Sequence, residues 1–365
     1  GWWSLFRLSS VVSPYAVPAP GSSPGRVRGH NGSVKWRNWA GNQTASPETV
    51  LDPASGAEAA EMVRSAHMGG RALRVTGSGH SFTGAAVAND VLMRLDRLSG
   101  ILEIDRTAMT VRVGAGTPLW RLNELLHAEG LALANLGDIA YQTVAGAVST
   151  GTHGTGVALG GLAAQIRGLT LVDGCGNVHE CRAGLNEDIL DVARVAVGAL
   201  GVLTEVTLAV VPSFLLHATE MPMRVDAVLG AVDELVHSND HFEFFWVPHT
   251  GWALTKRNNR TDRGREPLPR VRGWIETTFM ENVAFGAVCR LGRMVPSAIP
   301  RLAKALPSSG ERSYVDHSHR VFVSPRLVRF YEMEQSVPIE AMPSALNEVR
   351  AMVERKGYML NFPVE

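Results

Sequence analysis

An α+β protein of two domains is what the sequence predicts, and three features predict it. Up to about Pro212, strand-like and helix-like stretches alternate and are separated by glycine-rich turns. Beyond that point glycine density falls, aromatic residues rise, and residues 241–247 alternate in the manner of a sheet strand. With 365 residues, 45% of them hydrophobic and 19% charged, the chain is long enough for about two domains with sizeable cores. The expected domains are 36–213 and 214–365, the second an α+β unit with an antiparallel sheet.

Residues 1–35 read as a disordered leader. Trp2-Trp3-Ser4-Leu5-Phe6 is too short and poorly flanked for a signal peptide, and 13–29 is rich in Pro, Gly, Ser and Arg. Order is expected from about Trp36. Ser55 and Glu58 form a capping box that opens a helix running to Gly69-Gly70. A short strand over 73–76 then enters a tight turn, and 91–95 and 110–113 read as strands. The next helix has Thr117 as its expected N-cap and Pro118 at its first position. Leu119, Leu122, Leu125 and Leu126 share one face, and Gly130 closes it. A strand over 166–172, a helix over 186–193 and a strand over 204–210 complete the first domain. In the second, 241–247 is a strand, 256–269 a polar excursion, 314–323 and 328–337 further strands, and 343–356 a helix. The last residues, 360–365, look like the start of a strand cut short, so the chain is expected to be a fragment.

Charge narrows the function classes. Thirty-five basic and 35 acidic residues give zero net charge without a basic run, which argues against nucleic acid. The longest apolar runs are interrupted by charge or proline, so no membrane span is expected. Three cysteines, Cys175, Cys181 and Cys289, cannot build a disulfide framework and fit a reducing compartment. Of the candidate metal ligands, Cys175 with Cys181, and His317 with His319 on one strand face, lack convincing partners in spacing, so no metal site is expected. Glu332 and Glu334 read as paired carboxylates or, equally, as alternation at a sheet surface.

The most informative text is Gly77-Ser78-Gly79-His80-Ser81-Phe82. The two glycines suit a turn with left-handed backbone and close approach to a ligand, and successive N–H groups in such a turn form a concave site for a diphosphate. The His80 imidazole is a nitrogen nucleophile beside that site, so the turn has the parts a covalently bound flavin needs. A second segment, from Gly146 through Gly156, is small, hydroxylated and nearly chargeless, suited to lying against a cofactor. Neither segment is a P-loop, and neither presents G-x-G-x-x-G in a βαβ unit.

Taken together, Arg74 through Phe82, Asn135-Leu136-Gly137-Asp138, Thr143-Val144-Ala145-Gly146, Ser149 through Gly156 and Gly198-Ala199-Leu200-Gly201-Val202 resemble flavoproteins of the vanillyl-alcohol-oxidase type. The likeness is to their sugar-lactone branch: L-gulono-1,4-lactone oxidases and dehydrogenases, D-arabinono-1,4-lactone oxidases and alditol oxidases. It extends into the second half through Asn239-Asp240-His241-Phe242-Glu243-Phe244-Phe245 and Arg329-Phe330-Tyr331-Glu332-Met333-Glu334. The implied fold is a two-subdomain FAD-binding domain of the PCMH type followed by an α+β substrate (cap) domain. The resemblance implies covalent FAD through His80, with Val75, Thr76, Gly77, Ser78, Gly79 and Ser81 around the diphosphate. Thr143, Gly146, Ala147, Val148, Ser149, Thr150 and Gly151 match the second FAD-contacting segment, and Val202 matches a main-chain contact near the adenine.

Substrate-side roles follow from the same resemblance. Gly137 matches a position beside the flavin edge where oxygen access is controlled, and Asp138 one where alditol oxidases contact substrate. Glu365 falls on the family's Phe-Pro-x-Glu-x-Arg strand, whose acidic residue orients the substrate. His153 is read as a structural or cofactor-lining histidine. The implied activity is FAD-dependent oxidation of an aldono-1,4-lactone by hydride transfer to flavin N5, the alternatives being a polyol oxidase or a flavin- or sugar-binding protein without turnover. Because the chain stops short of the family's later arginine and lysine, little turnover is expected of it. Oxygen, a quinone or a cytochrome is the electron acceptor, and the expected location is the cytoplasm, with peripheral membrane contact left open.

Overall fold

A computed structural model describes residues 3–11, 28–30, 33–305 and 310–365. The Pro-rich stretch of the expected leader, 12–27, lies outside the described residues. The chain divides into two compact units. One holds residues 33–154 and 159–213; the other holds Phe214–Glu365 together with Thr155–Ala158 and the strand Trp3–Val11.

In the first unit, Thr49–Leu51 and Leu73–Thr76 flank Val91–Arg94 in a parallel three-stranded sheet. The connection between the outer strands is the helix Gly56–Met68, as parallel strands require. Its start is the expected one: Ser55 Oγ accepts from Glu58 N at 3.1 Å, while the Glu58 carboxylate accepts from Ala54 N at 2.8 Å. Ala59, Ala60, Val63 and Ala66 form its buried face. A five-stranded antiparallel sheet follows, in the order Val178–Arg182, Ile166–Val172, Val202–Ala209, Thr110–Gly114, Ile101–Asp105. The helix Leu119–Ala128 buries Leu119, Leu122 and Leu126. Its N-cap is Pro118, not Thr117. Thr117 is fully buried, and its hydroxyl is committed to the preceding turn, donating to Gly114 O at 2.5 Å and accepting from Gly100 N at 2.9 Å.

The second unit is built on an antiparallel sheet ordered His241–Trp246, Trp252–Thr261, Leu215–Arg224, Arg312–His317. Three expectations are corrected here. Lys256–Thr261 belongs to a central strand rather than a polar excursion: sheet pairing outweighs a polar sequence when one face is polar. The strand expected over 314–323 ends at His317, and Ser318–Phe322 is a helical turn, so His317 and His319 do not sit on one strand face. The leader contributes the strand Trp3–Val11, paired antiparallel with Phe330–Pro338, because main-chain bonding to a distant edge needs no local strand signal.

That four-stranded sheet has two unlike faces. Trp246 and Ala253 pack with Val225, Val228, Leu235, Leu346, Val353 and Val364 into an apolar core. The opposite face carries a row of charges set by register, Glu243 beside Lys256 beside Glu220 beside Arg312.

Candidate active site

The parallel strand Leu73–Thr76 delivers the chain into the glycine–histidine turn at its carboxyl end, the usual place for a ligand crevice in parallel sheets. The carbonyls of that turn are tied down from behind. Trp39 N donates to Gly79 O at 2.7 Å, Asn38 Nδ2 to Ser81 O at 3.0 Å and Asn42 Nδ2 to Phe82 O at 2.9 Å. The N–H groups of Ser78, Gly79, His80 and Ser81 donate to no protein acceptor among the described residues. Carbonyls bound and amides open is the arrangement of an anion-binding concavity. Only Gly79 uses the left-handed backbone region, at φ +70°. Gly77 is needed for a different reason: a methyl there would overlap Thr143 Oγ1.

That contact joins the two glycine segments. Thr143 caps the short helix Val144–Ser149, its hydroxyl accepting from Gly146 N at 3.2 Å. A cleft of about 120 Å³ opens between the segments, lined by Val75 through Ser81 and by Thr143, Gly146, Ser149 and Thr150. Ala147 and Val148 are buried away from it, and Gly151 turns the chain at φ +72° outside its lining. Val202 is buried as well, while its neighbours Gly201 and Leu203 face the cleft.

His80 stacks with two aromatic rings. The Trp39 centroid lies 5.3 Å away with planes 24° apart, and that of Tyr141 6.4 Å away at 11°. Its Nε2 is cut off from solvent and has no hydrogen-bond partner among the described residues. Burial pushes its pKa from 6.5 down to about 4, against the opposing pull of the nearby Asp138 carboxylate. The ring is therefore neutral at physiological pH, the state in which a nitrogen lone pair is available.

Sequence reasoning marked Gly198 and Leu200 but passed over Ala193, Ala196 and Val197, which line the cleft beside them. Val197 N donates to Ser149 O at 3.1 Å. Val197 adopts φ +52°, an outlier for a β-branched residue and a mark of strain held in place by its surroundings. No residue-type signal announces such a position. Gly137 and Asp138 lie outside the lining of the cleft. Gly137 is close-packed: a methyl there would meet His153 O at 3.0 Å. His153 Nδ1 lies 2.8 Å from Gly154 O.

Glu365 belongs to the other unit. Val364 exchanges two backbone hydrogen bonds with Trp246, at 2.8 and 2.9 Å. Alternation then sets Glu365 at the register position of Phe245, on the charged face of the sheet. There Lys256 Nζ lies 3.5 Å from Glu243 and 4.9 Å from the Phe245 ring centroid. Burial opposes charge on Lys256, yet Glu243 and Glu220 hold its pKa above the ordinary lysine range. Arg312, 9% exposed, bonds Glu220 at 2.6 Å and Glu281 at 3.2 Å. Burial, then the Glu220 charge, push the Tyr314 hydroxyl up to about 12.

The open amides, the uncharged imidazole and the close-packed glycines suit a dinucleotide held through its diphosphate, and the fold is the PCMH-type FAD-binding fold. Residues 47–182 match the family model described as FAD binding domain, and 206–365 match D-arabinono-1,4-lactone oxidase. The chain is 38% identical over 331 residues to the L-gulono-1,4-lactone dehydrogenase of Mycobacterium tuberculosis (strain ATCC 25618 / H37Rv), covering 90% of this chain and 76% of that protein. It is 30% identical over 335 residues to the L-gulonolactone oxidase of Scyliorhinus torazame, covering 91% and 76%. Among solved structures, a solvent-stable cholesterol oxidase shares the fold at a TM-score of 0.74 and 18% identity, over 95% of this chain and 74% of that one. The chain belongs to the family of FAD-linked aldonolactone oxidoreductases.

Proposed function

We propose that this chain binds FAD in the cleft between its two glycine segments, bonds it through His80 with loss of one hydrogen each from the flavin 8α-methyl and the imidazole and transfer of two electrons to the acceptor that also reoxidises the enzyme, and oxidises a hydroxyl carbon of an aldono-1,4-lactone. Membership of a family whose members are L-gulono-1,4-lactone dehydrogenases and L-gulonolactone oxidases supports the substrate class. The observation that carries the cofactor reading is His80: a neutral imidazole, stacked with Trp39 and Tyr141, with an unpartnered Nε2 at the end of a row of open amides. FAD, when bound, would supply a two-electron acceptor for hydride from the substrate carbon. The protein's share would be to hold the diphosphate on the amides of Ser78 through Ser81, to pack Gly77 against Thr143, and to keep His80 uncharged. Asp138 and Glu365 are assigned to the substrate side, where a carboxylate orients hydroxyl groups and accepts a proton. The acceptor that reoxidises the enzyme is oxygen, a quinone or a cytochrome.

Purified protein should be yellow, and after acid precipitation the colour should stay with the pellet. His80→Ala should release the flavin into the supernatant while the protein still binds it reversibly. A pellet that stays yellow in that variant would refute the attachment. Oxidation of gulono- or arabinono-1,4-lactone with an artificial acceptor tests the substrate class; turnover confined to open polyols would overturn it.

A further inference from the structure

The charged face of the second unit's four-stranded sheet holds polar groups with hydrogen bonds still to make. Alternation puts Lys256 and Asn258 on that face, with Glu243 across from Lys256 on one side and Glu220 on the other. Arg312 and Tyr314 continue it on the outer strand. At the Arg312 end the carboxylates are engaged, Glu220 and Glu281 both bonding the guanidinium. At the Lys256 end they are not. The Lys256 ammonium lies 3.5 Å from Glu243, an ion-pair distance longer than a good hydrogen bond. Neither side chain hydrogen-bonds a protein group among the described residues. The Asn258 amide, in a residue 8% exposed, and the Tyr314 hydroxyl have no hydrogen-bond partner there either. In register, only the small Ala218 stands between Asn258 and Tyr314, so the face is low at that point.

Buried polar side chains are hydrogen-bonded as a rule, so several that share one face and lack partners mark a place that a ligand completes. The groups define that ligand. Lys256 offers three donors, Glu243 two acceptor oxygens, and Asn258 both kinds. Tyr314 stays protonated, its hydroxyl pushed up to about 12 by burial and then by the Glu220 charge, so it can donate as well as accept. Along the row two carboxylates alternate with two cations, so an ion of either sign would meet a like charge beside its partner. A neutral molecule with neighbouring hydroxyls, each both donor and acceptor, meets no such penalty. Glu365 stands at the register position of Phe245 on this same face, and Lys256 Nζ lies 4.9 Å from the Phe245 ring centroid. We propose that Lys256, Glu243, Asn258 and Tyr314 bind the hydroxyl groups of the substrate and set its preference for a polyhydroxylated lactone, an assignment that rests on the aldonolactone reading and on Glu365 as a substrate-side residue.

The test is titration calorimetry of the flavin-loaded protein, photoreduced under argon so that a lactone binds without reacting. L-Gulono-1,4-lactone should bind at least about tenfold more tightly than γ-butyrolactone, which has the ring and no hydroxyls. Lys256→Met should weaken gulonolactone about tenfold or more, as expected for hydrogen bonds to a charged group, and Tyr314→Phe and Asn258→Ala about twofold to tenfold each. γ-Butyrolactone affinity and flavin absorbance should not change. The latter two variants keep the test open if Lys256→Met, which strands buried carboxylates, fails to fold. Variants that bind gulonolactone like the parent would overturn the assignment and leave the aldonolactone reading standing. So would variants that lose both lactones equally, since hydroxyl recognition is then not what they lost. A parent that binds xylitol but no lactone, and loses xylitol in the same variants, would keep the site and overturn the aldonolactone reading. A parent that binds none of these would overturn the site.

Discussion

Gly77→Ala isolates the contact that binds the two glycine segments into one cradle. A methyl built on Gly77 falls on Thr143 Oγ1, while Thr143 Cβ and Cγ2 are at ordinary contact, 3.4 and 3.5 Å. The backbone of Gly77 is not left-handed, so the cost comes from the clash alone. Either the turn is pushed aside, at about 1–3 kcal/mol for overpacking, or Thr143 rotates and gives up its cap on Gly146 N, worth about 1 kcal/mol. Thr143→Ala loses the cap, about 1 kcal/mol, but clears the space that the added methyl needs. The double variant should therefore be nearly as stable as Thr143→Ala, with a coupling of about 1–3 kcal/mol. At about 2–4 °C per kcal/mol for a domain of this size, thermal unfolding resolves it. FAD retention should follow the same order, the double variant holding flavin better than Gly77→Ala alone. Strict additivity, or a Gly77→Ala protein that melts with the parent, would show that the segments are not in contact.

Two further predictions follow from the same cleft. His80 is depressed from 6.5 to about 4, so between those values the unfolded chain takes up a proton that the folded one refuses, and folding loses stability as pH falls. The loss begins below about pH 6.5 and is complete, at about 3 kcal/mol, by about pH 4; urea unfolding of flavin-free protein should show it and flavin-free His80→Gln should not, parallel curves refuting it. Val197→Gly should relieve the strain of φ +52° and raise unfolding stability by about 1 kcal/mol while weakening FAD binding, as calorimetry would show; lower stability would mean that the valine is unstrained.

Where local chemistry decides structure, the sequence was legible. The capping box at Ser55 and Glu58 and the strand Ile166–Val172 follow from residue type and spacing, as does the buried leucine face of Leu119–Ala128. The cleft was legible where glycine and histidine line it, in the turn around His80 and in Gly146, Ser149 and Thr150. What escaped depends on distant partners. Thr117 looks like a cap, but the turn at Gly114 and Gly100 claims its hydroxyl first. Lys256 looks like loop text, but Glu243 and Glu220 on neighbouring strands make it part of a charged sheet face. Val197 carries no signal at all, because its conformation is imposed by the wall it completes.

The low pKa of His80 also has to be weighed against the ligand the cradle is built for. Asp138 already favours the protonated ring, and a diphosphate on the amides of Ser78 through Ser81 would add to that pull. An opposite charge within about 4–6 Å raises an imidazole by about 1–3 units. In an exposed histidine of ordinary pKa that would leave imidazolium at neutral pH, with no lone pair for bond formation. Starting from about 4, the same pull carries the ring no further than about neutrality, and its weaker end leaves it almost wholly uncharged. Trp39 and Tyr141 supply part of that desolvation and hold the ring plane fixed, so the stacked rings set orientation and protonation state together. A histidine placed beside an anion site without such burial would be protonated and pair with phosphate; buried as His80 is, the ring keeps its lone pair.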